Sequence, residues 1–387
     1  MEVLWYLTGP DGRYPWRADG ARPLNYAYFQ QLARAVDHLG FTGALLATGS
    51  HDAWIQGASL IPYTEQFQHL IAAHPPMISP TLLAKMITTF DQFSKGRLRV
   101  NIVNGDAKLM AQYGIHLGHD ERYAFTDEFL TVLTGLLRGE TVTFKGRYIH
   151  VVDAGIPVPP TQPHVPLWFG GSSPAAHAVA AKHIDTYLSW GETPEQSEAK
   201  IREVRTLAQT YGRADKIRFG IRLYVIVRET EEAAWAAAQD LYDHMDEAAI
   251  AGAQAYVAGI DSIGQQRMSA LHGGRKPKNL RELEIAPNLW SAIGLVRHGP
   301  GTALVGSAAQ VLSRIQDYRD AGNDVLIVSG MPLLEEAYRF GELVLPHLDV
   351  DHQAAAGVTS AFTRERDAAW RNSARGRSTQ RRDRLSA

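Results

Sequence analysis

Two textures alternate along this chain. Short stretches in which apolar residues are nearly continuous occur at Glu2–Thr8, Thr42–Thr48, Phe67–Ala73, Arg97–Val103, Leu167–Gly170, Asp185–Trp190, Ile217–Val227 and Asp324–Ser329. Such runs suit strands covered on both faces. Between them apolar positions recur at helical spacing: Asn25–Leu39 carries Phe29, Leu32, Ala33, Val36 and Leu39 and stops at Gly40, a C-terminal signal. The same reading gives helices over Asp52–Pro62, Thr81–Phe93, Tyr123–Arg138, Pro174–Lys182, Glu195–Tyr211, Glu231–Met245, Ala308–Ala321 and Leu333–Leu343. Eight strands alternating with helices, none with a sustained period of two, predict the α/β class and a (β/α)8 TIM barrel. The rival doubly wound sheet lacks its signature, since no G-x-G-x-x-G follows the first strand and no P-loop occurs.

Three segments depart from a plain barrel. Thr141–Pro166 contains TVTFKGRYIHVV, a candidate hairpin around Lys145-Gly146-Arg147. An insertion over about 253–306, glycine-rich and basic around Leu271–Arg281, precedes the last βα unit and reads as a lid or a disordered loop. A single domain over 1–350 is then followed by an Ala-, Arg- and Ser-rich arm or tail over 351–387. The chain of 387 residues is 45% hydrophobic and 21% charged, enough to bury a large core. Its formal charge of −2 gives no reason to expect nucleic acid or a membrane as partner. Cysteine is absent, which removes disulfides, thiolate metal ligands and a cysteine nucleophile. Histidines are scattered singly, so no metal site is expected. Without a leader pattern or an apolar run of about 18 residues, a cytoplasmic protein is the expectation.

The candidate chemistry sits at the ends of predicted strands. In FDQFSKGRLRVNIVNGD, Phe90–Asp106, a buried strand is interrupted by Asn101 and closed by Asn104-Gly105-Asp106, where a barrel presents its active-site loops. Asn101 either satisfies neighbouring backbone or meets a ligand with alternating polar edges. Gly170-Gly171-Ser172-Ser173 lies between a strand and a helix, so it is an anion site or a plain helix N-cap. Arg222 interrupts the series Ile217, Phe219, Ile221, Leu223, Val225 from the opposite face. Burying it requires an anionic ligand or an acidic partner. Arg297 precedes His298-Gly299-Pro300-Gly301, a loop that glycines permit to move.

The strings RPLNYAYFQQLARAVDHLGFTGALLATG, DQFSKGRLRVNIVNGD, GHDERYAFTDEF, WFGGSS, YLSWGETPE, IRFGIRLYVIVRET, APNLWSAIGLVRHGPGTALVG and VSGMPLLEEAYRFGELVLP resemble the alkanesulfonate monooxygenases of the bacterial-luciferase-like flavin family, from about Val3 to Asp349. The resemblance implies a TIM barrel and a two-component system of sulfur metabolism. A separate NAD(P)H-dependent FMN reductase supplies reduced FMN. O2 is the co-substrate, and the C–S bond of an organosulfonate is cleaved to an aldehyde and sulfite. It also implies a homo-oligomer. By residue it implies Gly171, Ser172, Ser173 and Tyr123 on the flavin phosphate, Thr48 and Asn101 against the ring, and Arg222 and Arg297 on the substrate anion. Trp190 and Tyr224 would shape the reacting pocket. Three positions depart from the pattern. Tyr224 and Leu333 stand where the family has histidines and Met331 where it has a tyrosine, which is expected to make one wall more apolar and to remove a base. His51 and His298 are possible replacements. Two alternatives stay open: a monooxygenase of this family with a non-sulfonate substrate, and an F420-binding relative that consumes no O2.

Overall fold

In the computed structural model, which describes residues 1–351, all eight expected strands form and close on themselves. They are β1 (Glu2–Tyr6), β2 (Gly43–Leu46), β3 (Gln68–Ala73), β4 (Leu98–Ile102), β5 (Leu167–Gly170), β6 (Thr186–Trp190), β7 (Arg218–Arg228) and β8 (Val325–Ser329). Every neighbouring pair is parallel. β8 closes the ring on β1, with Leu4 opposite Ile327. The expected arm or tail over 351–387 lies, from residue 352 on, outside the described residues. No helix among the described residues is long and apolar enough to cross a membrane.

Local chemistry sets the helix boundaries. Asn25 caps Tyr26–Leu39 by accepting from the Tyr28 N–H at 3.0 Å, and Gly40, at φ 90°, ends it in the left-handed conformation that glycine adopts without penalty. Ser79-Pro80, Ser173-Pro174 and Thr193-Pro194 each pair a capping hydroxyl with a proline at the first helical position. The expected hairpin also forms, as Val142–Lys145 against His150–Ala154. Its turn is held by the Glu128 carboxylate, which accepts from the N–H groups of Arg147, Tyr148 and Ile149 at 2.8, 2.8 and 2.9 Å.

The insertion differs from the expected loop. It opens earlier than residue 253, with a helix over Glu247–Val257, and continues through a second helix over Ile263–His272, a short ribbon (Glu284–Ala286 with Leu289–Trp290) and a strand over Ala303–Ser307. β7 is the reason it is ordered. Residues Gly220–Tyr224 of β7 pair with β8 inside the barrel, while Tyr224–Arg228 run on and pair with Ala303–Ser307. A second apolar cluster forms there, containing Tyr224, Trp235, Tyr242, Trp290, Ile293 and Met331.

At the N-terminal end of the barrel, Glu2 is 1% exposed and pairs with both Arg99 and Arg218, the latter at 2.6 Å. Burial alone would raise the Glu2 pKa, but the two guanidinium charges outweigh it and hold the carboxyl below its ordinary value. A folded-state pKa below the unfolded one stabilises the fold above the ordinary carboxylate range and ceases to do so as pH falls through the lowered value. Glu2→Gln should therefore cost about 3–5 kcal/mol near neutral pH, as expected for breaking a buried ion cluster from one side. In urea titrations the gap between variant and wild type should narrow below about pH 4; a gap independent of pH would show that the charge of Glu2 is not what matters.

Candidate active site

The C-terminal ends of the barrel strands and the inner side of the insertion enclose a cavity of about 300 Å³, in the size range of small-molecule sites. Thr48, Asn101, Tyr123, Gly171, Ser172, Ser173, Trp190, Arg222 and Arg297, widely separated in sequence, all line it. Tyr224 does not.

One end is built for an anion. Ser173 caps the helix Pro174–His183, its Oγ accepting from the Ala176 N–H at 3.2 Å, so capping and anion binding are not exclusive here. Ser172 precedes it, and its Oγ accepts from Lys200 Nζ at 3.0 Å. The Tyr123 hydroxyl interacts with Ser173; its pKa is raised by burial, so it remains a donor at neutral pH. Gly171 is required by space, because a Cβ there would lie 2.6 Å from the Ala176 Cβ. The insertion reaches the same place: a Cβ on Gly264, in the first turn of the helix Ile263–His272, would sit 3.6 Å from Ser172 Oγ and 3.5 Å from the Trp190 ring. Two helix N-termini therefore converge on the two hydroxyls, where unpaired N–H groups and helix dipoles favour negative charge.

The middle of the cavity presents amide chemistry. Asn104 accepts from Thr126 Oγ1 at 2.7 Å, which leaves its Nδ2 buried and without a partner among the described residues. Asn101 Oδ1 is likewise buried and unpartnered. One donor and one acceptor left open three residues apart, at the end of β4 and just beyond it, match a ligand with alternating polar edges. Beside them Thr48 Oγ1 lies 3.0 Å from His74 Nε2. Burial lowers the His74 pKa to about 4, so the imidazole is neutral at pH 7.

The third region is cationic. Arg222 is 9% exposed, and its guanidinium lies 3.7 Å from the Tyr6 ring centroid; Nε and Nη2 are buried without a hydrogen-bond partner. Arg297 comes in from the insertion, 5.7 Å from the Tyr224 ring, and interacts with the hydroxyls of Tyr6 and Tyr224. Neither arginine pairs with a carboxylate among the described residues, which disposes of the structural ion pair as the reason for Arg222. Tyr224 thus stands behind the two guanidinium groups instead of on the cavity wall.

The remaining candidates divide. His298 lines the cavity, and burial with the neighbouring Arg297 charge keeps its pKa below the ordinary imidazole value. His51 lies outside, edge-on to Phe29 at 5.5 Å. Met331 and Leu333 are also outside, so the expected apolar wall is not there: Met331 belongs to the second apolar cluster, and the Leu333 N–H donates to Asp11 Oδ1 at 2.7 Å. Sequence reasoning missed Tyr6, His74, Asn104 as a lining residue, and Gln265, which accepts from the Gly299 N–H at 2.8 Å. His74 carried a usable signal, following a predicted barrel strand and preceding Pro75-Pro76; Gln265 carried none.

A model of the family described as luciferase-like monooxygenase matches residues 4–324. Among solved structures, the chain is similar to a riboflavin lyase with modified FMN and riboflavin (TM-score 0.74, 19% identity, 93% of this chain and 94% of that one). It is also similar to a long-chain alkane monooxygenase (0.70, 19%, 90% and 91%) and to an EDTA monooxygenase from Chelativorans sp. BNC1 (0.69, 17%, 92% and 96%).

A buried cation without a counter-charge is a cost to the fold that only a ligand removes. Arg222→Met should accordingly raise thermal stability, by about 1–3 kcal/mol, while weakening anion binding; a destabilised variant in calorimetry would mean that the guanidinium is satisfied within the fold. The His74 ring should show no titration between pH 5 and 8 in NMR spectra, and a midpoint near 6.5 would contradict its burial.

Proposed function

The chain belongs to the luciferase-like monooxygenase family, and from that premise we propose that it is an FMNH2- and O2-dependent monooxygenase that cleaves the C–S bond of an organosulfonate. The observation that carries this reading is the pair Arg222 and Arg297, two guanidinium groups facing one cavity with no carboxylate partner among the described residues. Guanidinium never loses its charge and matches the oxygens of a sulfonate in geometry. One oxygen atom of O2 would enter the aldehyde and the other leave as water, with sulfite as the second product.

The residues present fit a flavin mononucleotide. Ser172, Ser173 and Tyr123 would hold its phosphate, while the open Asn101 Oδ1 and Asn104 Nδ2 would meet the polar edge of its ring. When bound, the reduced flavin supplies the electrons and activates O2; a separate NAD(P)H-dependent FMN reductase would deliver it. Arg222 and Arg297 would fix the sulfonate, which holds the adjacent carbon in one position relative to the ring. Trp190, covered by Gly264 of the insertion, would keep water from the reacting atoms. His298, which lines the cavity beside Arg297, would be the imidazole placed to exchange a proton, whereas His74 would stay neutral and serve as a fixed polar group.

The deciding experiment is sulfite release with FMN, a flavin reductase, NADH and O2, across a panel from methanesulfonate through longer alkyl and aryl sulfonates to amino and sugar sulfonates. Sulfite from at least one member, reduced by about 10²-fold or more in Arg297→Ala with flavin binding retained, is the expected outcome. If no member releases sulfite while reduced FMN binds tightly, sulfonates are not the substrate.

A further inference from the structure

The helix Pro194–Gln209 carries a lysine where its packing face should be apolar. Lys200 is 6% exposed and lies among Ser197, Ile201 and Val204 on the buried side. Its ammonium makes two contacts: Glu192 Oε2 at 2.5 Å and Ser172 Oγ at 3.0 Å. The first is an ordinary remedy for a buried charge; the second has a consequence for the anion cradle. An ammonium can only donate, so Ser172 Oγ must accept, and its own proton is turned away from Lys200. Ser173 is in the same position, since its Oγ accepts from the Ala176 N–H. Ser172 is therefore committed as an acceptor toward Lys200, with its proton free to turn elsewhere, while Ser173 also meets the Tyr123 hydroxyl.

The surrounding charges hold Lys200 in place. Glu192 is shared between Lys200 and Arg267, and the Glu203 carboxylate also acts on Lys200, so the ammonium is balanced by acidic groups inside the protein. Arg267 belongs to the insertion helix Ile263–His272, whose first turn also covers Ser172. The nearby Arg122 is already matched by Asp261 at 2.8 Å. Lys200 thus meets Ser172 as a hydrogen-bond donor that carboxylates hold in place.

We propose that Lys200 is a positioning residue that fixes the Ser172 hydroxyl as a donor toward the terminal phosphate of the flavin and so makes this site select a phosphorylated flavin over riboflavin. The inference rests on the flavin reading above for its ligand, and on Lys200, Ser172 and Glu192 for its geometry. Glu192 keeps Arg267 as a partner when Lys200 is replaced, so Lys200→Met does not orphan the carboxylate. Lys200→Gln keeps a donor at the same place without the charge.

The test measures binding of reduced FMN and reduced riboflavin under anaerobic conditions, together with the thermal shift produced by inorganic phosphate alone. Wild type should prefer FMN by about 10²-fold and be stabilised by phosphate. Lys200→Met should lose about tenfold or more of that preference, with riboflavin affinity unchanged and the phosphate shift abolished, while Lys200→Gln should fall between. Arg267→Gln, which touches the same carboxylate but not Ser172, should keep the FMN to riboflavin ratio. Equal weakening of both flavins in Lys200→Met, or an unchanged ratio in both Lys200 variants, would overturn the proposal. A phosphate shift that depends on Lys200 without any flavin binding would instead overturn the flavin reading and leave the oriented anion cradle standing.

Discussion

Charge balance inside the barrel is distributed unevenly, and the rest of the molecule is arranged around that. At the N-terminal end two arginines share Glu2 and the cluster is self-contained. At the C-terminal end Arg222 and Arg297 face the cavity with aromatic rings and, among the described residues, no carboxylate partner. Stacking on Tyr6 recovers part of what the Arg222 guanidinium loses on leaving water, since a ring face attracts a cation, but its Nε and Nη2 donors still lack acceptors. The same residue type therefore serves the fold at one end and waits for a ligand at the other. Only the presence or absence of one acidic side chain separates the two roles.

Much of this was legible before any coordinates. The eight buried strands were visible because a strand covered on both faces has little room for polar residues. Asn101 and Arg222 stood out as exceptions to that pattern, a buried amide and a buried charge in otherwise apolar strands. The two serines were visible from their place between strand and helix. The insertion was placed, but its ordered helices and strands were not visible. Its helix Glu247–Val257 buries only Ile250 and Val257 and is otherwise small and mixed, so it has no stripe to detect. Met331 and Leu333 were misplaced for a related reason: spacing after a strand says which loop a residue belongs to but not which of two apolar clusters will take it. Lys200 was invisible because a lysine on an amphipathic helix reads as solvated until its surroundings are known.

The cavity combines groups that would be unsatisfactory singly. Asn101 and Asn104 leave an acceptor and a donor open among the described residues, Ser172 faces Lys200 as an acceptor, and the guanidinium groups keep their charge. Each costs the fold some stability without a complementary group, and under the proposed function each would meet a different part of flavin or substrate. Family membership narrows what these two can be, while the polar groups set where each part lies. His74 differs from the others in being neutral and already partnered by Thr48, which makes it an element of fixed polarity next to them.

The length of β7 ties these parts together. One uninterrupted strand of eleven residues holds Arg222 in the barrel and then serves, from Tyr224 to Arg228, as the floor on which the insertion's own strand is laid. Insertion and anion seat are consequently in register at the level of the backbone, and neither can be shifted by a residue without turning the other over to the wrong face. Diversification of such a scaffold is then confined to side chains. Grafting a lid of different length from a relative would displace Arg297 against Arg222, whereas point changes along its inner surface would alter what the two arginines admit without disturbing how far apart they stand.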